Sequence, residues 1–282
     1  MTFTTRFAPS PTGPLHLGHA YSALLAYDLA QSAQGQFLLR IEDIDQSRAR
    51  PAWEAQIYDD LAWLGVTWQT PVMRQSDRQD AYDRALDALW ARGLLYPCSC
   101  TRADIAAATS APQEGAPFLG PDGVVYPGTC RPDTPPNGPR PKDKALRLDM
   151  TLACAALSDP LEFIDKTDNQ HIIIDPKQMP KTVGDIVLAR RDMGTSYHLS
   201  VVLDDAAQKV TDVVRGADLI DATQIHLLLQ HFLDLPQPQY THHKLIRDAD
   251  GKRLAKRDDA RAISLFRSEG ASPADVRAMV GL

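Results

Sequence analysis

The first ninety residues switch between two hydrophobic patterns. TFTTRF at 2–7 and QFLLRI at 36–41 predict strands, and a dense apolar run between them predicts a helix over about 18–33. Further helices are predicted over about 51–64, which begins with proline, and over about 78–92. Because strand, helix, strand, helix is the βαβ order of a parallel sheet, the pattern predicts an α/β fold.

The helix predicted over about 18–33 has too many apolar side chains for a surface helix. Leu24, Leu25, Tyr27 and Leu29 are closely spaced instead of forming one stripe. We therefore expect most of this helix to be buried.

Regularity is lost over 112–141, which holds nine prolines and five glycines and predicts an irregular insertion. A helix is predicted again over about 221–232, and the chain from Tyr240 is polar and basic. Strand-like segments are predicted at 145–150, 171–174, 185–190, 197–203 and 210–215.

Composition narrows the class of protein. The chain has 282 residues, is 44% hydrophobic and carries a net charge of −6, which does not favour a general nucleic-acid coat protein. No apolar run approaches the length of a membrane span, and the N-terminus lacks a secretion signal. Four unevenly spaced cysteines argue against a disulfide framework. We expect a cytoplasmic monomer that does not bind membranes.

The position of one short motif indicates a phosphate-binding site. His16, Gly18 and His19 follow a strand end and a Pro/Gly turn, at the start of the first helix. Helix N-termini offer unpaired N–H groups and a partial positive charge to phosphates, and Gly18 would keep side-chain bulk away from a ligand. Two imidazoles three residues apart can then donate to phosphate oxygens. The alternative is a helix start with incidental histidines.

The run RFAPSPTGPLHLGHA resembles the class I aminoacyl-tRNA synthetases, and within them the glutamyl-tRNA synthetase branch. His16-Leu17-Gly18-His19 matches the family's HIGH element, and RLAKR at 253–257 matches its KMSKS element. Lys256 is retained, whereas Arg253 and Ala255 replace the family's first lysine and its serine. Taken alone, 253–257 would be a solvated basic loop; the two motifs in this order favour the enzyme.

The resemblance implies a Rossmann-type catalytic domain, with helices on both faces of its sheet, that activates an amino acid with ATP and Mg²⁺. Negative charge develops at the α-phosphate in such a reaction, and donors placed there in advance lower the barrier. We expect His16, His19 and Lys256 to be the catalytic donors. The expected ATP-binding residues are Pro9, His16, Gly18, His19, Arg253 and Lys256.

A glutamyl enzyme must hold a dicarboxylic acid, and arginine binds carboxylates in two-pronged fashion. Arg6 and Arg215 stand at the ends of predicted strands, where open α/β sheets bind ligands, and Glu42 can accept the ammonium group. Glutamine would leave an arginine facing a neutral amide. By resemblance, the glutamate-binding residues are Arg6, Phe7, Ala8, Pro9, Ser10, Glu42, Tyr197 and Arg215.

Three cysteines flank or enter the Pro/Gly-rich insertion. Cys98, Cys100 and Cys130 can bind Zn²⁺, which would stabilise a segment without a core of its own; reduced structural thiols are the alternative. By resemblance to free-standing glutamyl synthetase-like proteins, Tyr126 is the fourth ligand. Cys154 is predicted to be a small buried hydrophobe.

After Lys256 only 26 residues remain, so we expect no anticodon-binding domain. This resembles the stand-alone paralogues that transfer glutamate to the queuosine base of tRNA(Asp). The rivals are a truncated enzyme charging the 3′ end of tRNA(Glu) and a non-catalytic binding protein. Late basic residues, including His242, His243 and Lys244, are candidates for tRNA contact. We expect catalytic halves at 1–95 and 185–240, a connective subdomain at 96–184, and a KMSKS-like loop with a short C-terminal helical segment at 241–282.

Overall fold

The computed structural model describes residues 2–110, 119–247 and 261–282. Two groups of strands dominate, one largely parallel and one antiparallel. The strands are β1 (Thr4–Phe7), β2 (Gln36–Ile41), β3 (Gln69–Arg74), β4 (Leu95–Cys98), β5 (Leu119–Gly120), β6 (Gly123–Val124), β7 (Ala145–Leu148), β8 (Leu161–Asp165), β9 (Gln170–Ile174), β10 (Val187–Ala189), β11 (Asp212–Gly216) and β12 (Gln239–His243).

Helices connect and cover these strands. None within the described ranges combines the length and apolar character needed to span a bilayer. They are α1 (Leu17–Ser32), α2 (Pro51–Trp63), α3 (Gln79–Ala91), α4 (Arg102–Ser110), α5 (Met150–Ala155), α6 (Met179–Thr182), α7 (Tyr197–Ala207), α8 (Thr223–Phe232), α9 (Ile263–Ser268) and α10 (Pro273–Val280).

The parallel strands confirm the βαβ prediction. One sheet has the order β1-β2-β3 and is parallel throughout, and a second has the order β11-β12-β8-β9, with β9 antiparallel. The two sheets meet where the backbone N–H of Thr211 donates to the carbonyl of Thr4 at 2.9 Å. Strand order reverses between β1 and β11, so their carboxyl ends flank the kind of crevice in which α/β sheets bind ligands.

Successive residues of β11 show that helices cover both faces of the sheet. Val214 packs in the hydrophobic cluster that contains the buried alanines of α1, whereas Val213 packs with Leu227 of α8. Because neighbouring side chains of a strand point to opposite faces, α1 and α8 lie on opposite sides. Within α1, Leu24 is fully buried and Leu25 half-buried, which confirms the buried helix expected from its dense apolar pattern.

The antiparallel sheet has the order β10-β7-β4 and forms the body of the inserted region. Its strands do not follow the sequence boundaries, because β10 lies beyond residue 184 and yet pairs with β7. Conversely, β8 lies inside 96–184 and yet pairs with β12 of the other sheet. The chain therefore crosses between the two sheets at points other than the boundaries predicted at 96 and 184.

The strand predicted over 197–203 is wrong: this segment begins α7. Ser196 caps the helix, its hydroxyl accepting from the backbone N–H of Leu199 at 3.5 Å. A short apolar run without turn residues fits a buried strand and a buried helix equally, and packing decides between them. Here Val201 and Val202 are both buried although they are adjacent, because neighbouring elements surround the helix.

The polar tail contains structure that its composition concealed. β12 begins at Gln239, and its second residue, Tyr240, is fully buried. Further along, α10 packs on α1, where both terminal nitrogens of Arg277 donate to Asp28 at 2.7 and 2.9 Å. The C-terminal helices therefore rest on the helix that begins with the HxGH motif.

Candidate active site

The two motif histidines cap the helix that they begin. Nδ1 of His16 accepts from the backbone N–H of Gly18 at 3.1 Å, and Nδ1 of His19 accepts from the backbone N–H of His16 at 3.2 Å. The ring centroids are 3.8 Å apart. Since each Nδ1 acts as an acceptor, the proton of each neutral ring is on Nε2. Both rings therefore present an Nε2–H donor, which is the group that a phosphate oxygen needs.

Gly18 leaves room for the helix cap. A Cβ at this position would lie 3.0 Å from Cε1 and 3.1 Å from Nδ1 of His16, so a side chain here would press on the imidazole of His16. The absence of a side chain allows that ring to fold back onto the helix terminus. The expectation that Gly18 also keeps bulk away from a ligand stays a prediction.

The chain returns to this motif after the KMSKS-like segment. Lys256 and Arg253 lie outside the described residues, but the next described residues contact the turn before α1. Ala262 forms a β-bridge with His16, and the backbone N–H of Ile263 donates to the carbonyl of Leu15 at 2.9 Å. The chain just beyond the KMSKS-like segment is therefore paired with the residues at the start of the HxGH motif.

A buried cluster of charge forms at the end of β1. Asp205 of α7 accepts from Arg6 at 2.8 and 3.2 Å and from Nη1 of Arg40 at 2.7 Å, and Nη2 of Arg40 donates to Glu42 at 3.2 Å. Burial would raise the pKa of Asp205, but Arg6 and Arg40 lower it. Burial raises the pKa of Glu42 against the opposing effect of Arg40. Arg6 therefore already has a two-pronged carboxylate partner within the protein.

Arg215, at the end of the neighbouring β11, has a different environment. Its Nε donates to Nε2 of His242 at 3.1 Å, its Nη1 bonds to Nδ1 of His226 at 2.9 Å, and its Nη2 donates to the hydroxyl of Thr223 at 2.6 Å. Burial, followed by the charge of Arg215, lowers the pKa of both imidazoles. Among the described residues no carboxylate lies within 4.0 Å of this buried guanidinium, so its hydrogen-bonding partners are all neutral.

A cleft of about 220 Å³ joins several of the predicted glutamate-binding residues. Ser10, Glu42 and Tyr197 line it, together with Arg190 and Ser196. The last two also line a larger cleft of about 600 Å³ that extends to the cysteine cluster. The two clefts are therefore neighbours that share lining residues at the start of α7.

Other predicted residues of this pocket lie behind its wall. The side chain of Phe7 packs in the hydrophobic core beneath α1, and Pro9 is buried. The carbonyl of Pro9 accepts from the backbone N–H of Glu42 at 3.0 Å, which ties the loop after β1 to the end of β2. Ala8 is half-buried between them. The RFAPS segment thus places Arg6 and Ser10 through a fixed backbone.

The expected tRNA contact of His242 and His243 is wrong. Both side chains are buried: His242 lies between Arg215 and Asp165, and His243 bonds to the hydroxyl of Ser22 on α1 at 2.8 Å. Their position in β12 points them into the protein, away from any nucleic-acid surface. The candidates Lys252, Arg253, Lys256 and Arg257 lie outside the described residues.

The three predicted cysteine ligands come together with Tyr126. The thiol sulfurs of Cys98, Cys100 and Cys130 lie within 4.8 Å of one another. The hydroxyl of Tyr126 is 3.5 Å from Sγ of Cys98 and 3.3 Å from that of Cys100, and it accepts from the backbone N–H of Cys130 at 2.8 Å. Tetrahedral zinc, with Zn–S bonds of about 2.3 Å, separates its ligand atoms by roughly 3.5–3.8 Å, so these four residues fit the ion.

The surroundings of the cluster act differently on its thiols: they lower the pKa of Cys130 and raise that of Cys100, where the hydrogen bond from Tyr126 is outweighed by burial and the neighbouring Cys130. Nε of the buried Arg147 donates to Sγ of Cys98 at 3.3 Å, and its guanidinium carbon lies 3.7 Å from the centre of the Tyr126 ring. The hydrogen bond from Tyr126 is the main cause that lowers the pKa of Cys130 to about 6, whereas burial raises that of Tyr126 above its ordinary value. All four cysteines are free, and Cys154 is buried in the core as predicted.

The sequence reasoning missed the residues that support the two arginines. Asp205 and Arg40 were overlooked, although a pair of aspartates inside the apolar run of α7 signals buried charge that needs partners. Thr223 and His226 gave no local signal, since they stand on the first turn of an otherwise apolar helix. Their role becomes visible only when β11 and α8 are side by side.

Comparison with known proteins shows which family this chain resembles. The family model described as tRNA synthetases class I (E and Q), catalytic domain, matches residues 2–282. The chain is 62% identical over 279 residues to glutamyl-Q tRNA(Asp) synthetase of Rhodobacter capsulatus, covering 99% of both chains. It is 40% identical to the protein of the same name from Geobacter sulfurreducens, covering 93% of this chain and 78% of that one.

Solved structures agree on the fold. A glutamate tRNA ligase from Elizabethkingia meningosepticum, crystallised with its amino acid, superposes with a TM-score of 0.78 at 27% identity. The match covers 99% of this chain and 60% of that one. Methionyl-tRNA synthetase of Mycobacterium tuberculosis, at 10% identity and a TM-score of 0.58, shares the fold alone. The chain belongs to the class I glutamyl- and glutaminyl-tRNA synthetase catalytic-domain family, together with the curated glutamyl-Q tRNA(Asp) synthetases.

Proposed function

We propose that this protein activates glutamate with ATP to form glutamyl-adenylate and then transfers the glutamyl group to the queuosine base in the anticodon of tRNA(Asp). The observation that carries the glutamate assignment is the difference between the buried arginines. Arg6 and Arg40 are paired with Asp205 and Glu42, whereas the described hydrogen-bonding partners of the buried Arg215 are all neutral. The side-chain carboxylate of glutamate would give Arg215 a countercharge, which the neutral amide of glutamine would not.

Each end of glutamate has a complementary group. The side-chain carboxylate would bind Arg215, whose present partners are neutral, with the Tyr197 hydroxyl beside it. The ammonium would bind Glu42, which lines the same cleft. Arg6 would act mainly by holding Asp205 and the pocket wall, because its own two-pronged partner is already inside the protein.

Activation would take place at the N-terminus of α1. An α-carboxylate oxygen attacks the α-phosphorus of ATP, and the bond to pyrophosphate breaks. The Nε2–H groups of His16 and His19 would donate to the phosphate oxygens as charge develops there. Five residues lie between Lys256 and Ala262, and the six Cα–Cα steps span at most about 22 Å, so chain length permits Lys256 to reach the same phosphates. Mg²⁺ would accompany ATP and neutralise phosphate charge.

In the second step a hydroxyl of the queuosine cyclopentenediol would attack the acyl carbon. The bond to AMP breaks, an ester forms, and the hydroxyl proton leaves with the nucleotide phosphate or solvent. The acceptor is assigned from the relatives named glutamyl-Q tRNA(Asp) synthetase, one of them 62% identical over nearly the whole chain. Such a reaction needs the tRNA and ATP pools of the cytoplasm, where we place the protein.

The acceptor assignment is tested with radiolabelled glutamate and ATP. We expect label on tRNA(Asp) that contains queuosine, and none on queuosine-free tRNA(Asp) or on tRNA(Glu). Queuosine-containing tRNA(Asp) from which the 3′-terminal adenosine has been removed should be labelled equally well, because the acceptor is the anticodon base. Label on tRNA(Glu), or loss of label with the terminal adenosine, would instead support a 3′-end-charging enzyme. Absence of glutamate-dependent ATP–pyrophosphate exchange would favour a binding protein.

We also propose that Cys98, Cys100, Tyr126 and Cys130 hold a structural Zn²⁺. The ion would tie the loop after β6 to the end of β4, and the neighbouring Arg147 offsets the excess negative charge of three thiolates and a phenolate. The site lies in the wall of the larger cleft and holds that wall in place.

Metal analysis of variants tests this site. Wild-type protein purified without chelator should contain about one zinc per chain. Cys130→Ser should lose most of the zinc and unfold at a lower temperature. Cys154→Ser, which removes a buried thiol outside the cluster, is the matched control and should retain the metal. A metal-free wild-type protein, or a Cys130→Ser variant with full occupancy, would exclude the proposal.

A further inference from the structure

A chain of hydrogen bonds leads from Arg215 to the surface of the inserted region. His226 Nε2 lies 3.1 Å from His198 Nδ1, and His198 Nε2 lies 2.8 Å from Oδ1 of Asp122. His226 and His198 are buried on α8 and α7, whereas the Asp122 side chain is about half exposed in the turn between β5 and β6. We call Asp122, His198 and His226 the relay.

Proton positions in the relay follow from its two ends. Arg215 can only donate, so Nδ1 of His226 must accept, and the proton of this neutral ring is on Nε2. That proton requires Nδ1 of His198 to accept, which places the His198 proton on Nε2, facing Asp122. The ionised carboxylate of Asp122 accepts it. Each group in the relay then donates to the next one, from Arg215 towards Asp122. If either imidazole changed tautomer, two N–H groups would face each other in place of a donor and an acceptor.

A second, shorter chain of hydrogen bonds also leads from Arg215 through an imidazole to a carboxylate. Nε2 of His242 accepts from Nε of Arg215, and its Nδ1 bonds to Oδ2 of the buried Asp165 at 2.8 Å. Each imidazole that contacts the guanidinium is therefore oriented by a carboxylate that does not touch the guanidinium. Asp165 is fixed within the parallel sheet, whereas Asp122 belongs to the inserted hairpin.

The hairpin that carries Asp122 is closely seated on the body of the protein. A Cβ on Gly120 would lie 2.7 Å from the carbonyl oxygen of Thr182. A Cβ on Gly184 would lie 2.6 Å from Cγ1 of Val125, and the φ of Gly184 is +71°. The two glycines thus allow the hairpin, and Val125 directly after it, to pack closely against the end of α6 and the turn that follows.

We propose that Asp122 is a positioning and specificity-determining residue for glutamate. Acting through His198 and His226, it holds the imidazole that faces Arg215 in the neutral, accepting tautomer, so that the guanidinium is oriented without being neutralised by an internal carboxylate. The role rests on the proposed binding of the glutamate side chain by Arg215. A carboxylate in direct contact with Arg215 would orient it equally well, but it would cancel the charge that distinguishes glutamate from glutamine.

The kinetic test uses glutamate-dependent ATP–pyrophosphate exchange with the full chain. Asp122→Ala removes the acceptor and should raise the KM for glutamate about tenfold, as expected for a hydrogen bond that serves a charged group. The KM for ATP should change less than about twofold, and the preference for glutamate over glutamine should fall. Asp122→Asn keeps an acceptor oxygen and should restore most of the affinity.

Glu162→Ala is the matched control. It also removes a carboxylate that bonds to a histidine. Glu162, in β8, lies 3.1 Å from Nε2 of His171, in the paired strand β9. This variant should leave both KM values unchanged. An Asp122→Ala enzyme with wild-type KM for glutamate would overturn the proposal, as would an equal rise in the two KM values or an Asn variant as impaired as the Ala variant.

Imidazole ¹⁵N NMR tests the relay without any enzymatic activity. In the wild-type protein, His226 and His198 should both be neutral with the proton on Nε2. In Asp122→Ala the resonances of His198 should indicate a mixture of tautomers. A proton on Nδ1 of His226 in the wild type would refute the relay even if glutamate is the substrate. Conversely, a wild-type protein without exchange activity but with these tautomers would refute the proposed function and leave the relay intact.

Discussion

Two buried arginines stand at the ends of adjacent strands, and their partners differ in charge. Arg6, on β1, is neutralised in two-pronged fashion by Asp205, which it shares with Arg40. Arg215, on β11, is held by two imidazoles and a hydroxyl, all neutral. A buried cation paired with a carboxylate is part of the protein's own structure. A buried cation held by neutral acceptors keeps its charge for a ligand.

The largest expected effect is on the Arg6 side of this comparison. Asp205→Asn leaves two buried guanidinium groups without a full countercharge, and we expect a loss of about 3–5 kcal/mol in the free energy of unfolding. Urea denaturation measures it. The control Asp28→Asn breaks the partly exposed pair with Arg277 and should cost less than about 1 kcal/mol. Equal costs would mean that burial does not distinguish these pairs.

On the Arg215 side the expected effect is on catalysis. Arg215→Gln should lower kcat/KM for glutamate about 100-fold or more, because it removes the buried guanidinium whose described partners are all neutral. The free energy of unfolding should fall by less than it does in Asp205→Asn, since no buried charge is left unpaired. Steady-state exchange kinetics and urea denaturation together measure this. If Arg215→Gln were strongly destabilised but had wild-type kinetics, Arg215 would be a structural residue, and the proposed difference from Arg6 would be wrong.

A buried carboxylate, Asp60, offers a comparison with Asp205. Both side-chain oxygens of Asp60, on α2, lack a hydrogen bond and are buried. Burial, and then the neighbouring Asp59, raise the pKa of Asp60 to about 6, whereas the arginines lower that of Asp205. The two buried aspartates thus have opposite pKa shifts, because two hydrogen-bonded arginines outweigh burial at Asp205, whereas Arg267 does not outweigh burial and Asp59 at Asp60.

The raised pKa of Asp60 predicts how stability depends on pH. Between about pH 4 and pH 6 the folded state keeps a proton on Asp60 that the unfolded chain has released, so this group makes stability fall as pH rises through that window. Asp60→Asn should therefore be about 1–3 kcal/mol more stable than wild type at pH 8 and nearly equal to it at pH 4. Urea denaturation at both pH values measures this. A constant difference would show that Asp60 is not protonated in the folded state.

Local sequence was sufficient for the first half of the fold. Period and turn residues located β1, α1, β2 and α2 to within a few residues, because each is an amphipathic or buried segment bounded by proline or glycine. The strand predicted at 197–203 was wrong because an apolar run has no period once every face is buried. Short strands such as β8 and β12 were missed, since their burial comes from distant partners.

The sequence by itself indicated the candidate chemistry: the HxGH step, the arginines at strand ends and the cysteines that come together in the structure. It could do so because backbone caps, strand ends and metal ligands are local features. Only the tertiary structure decided which arginine is neutralised and which keeps its charge. That difference depends on Asp205, His226 and His242, whose contacts with Arg6 or Arg215 cross from one element to another, and a hydrogen bond between distant segments leaves no trace in local sequence.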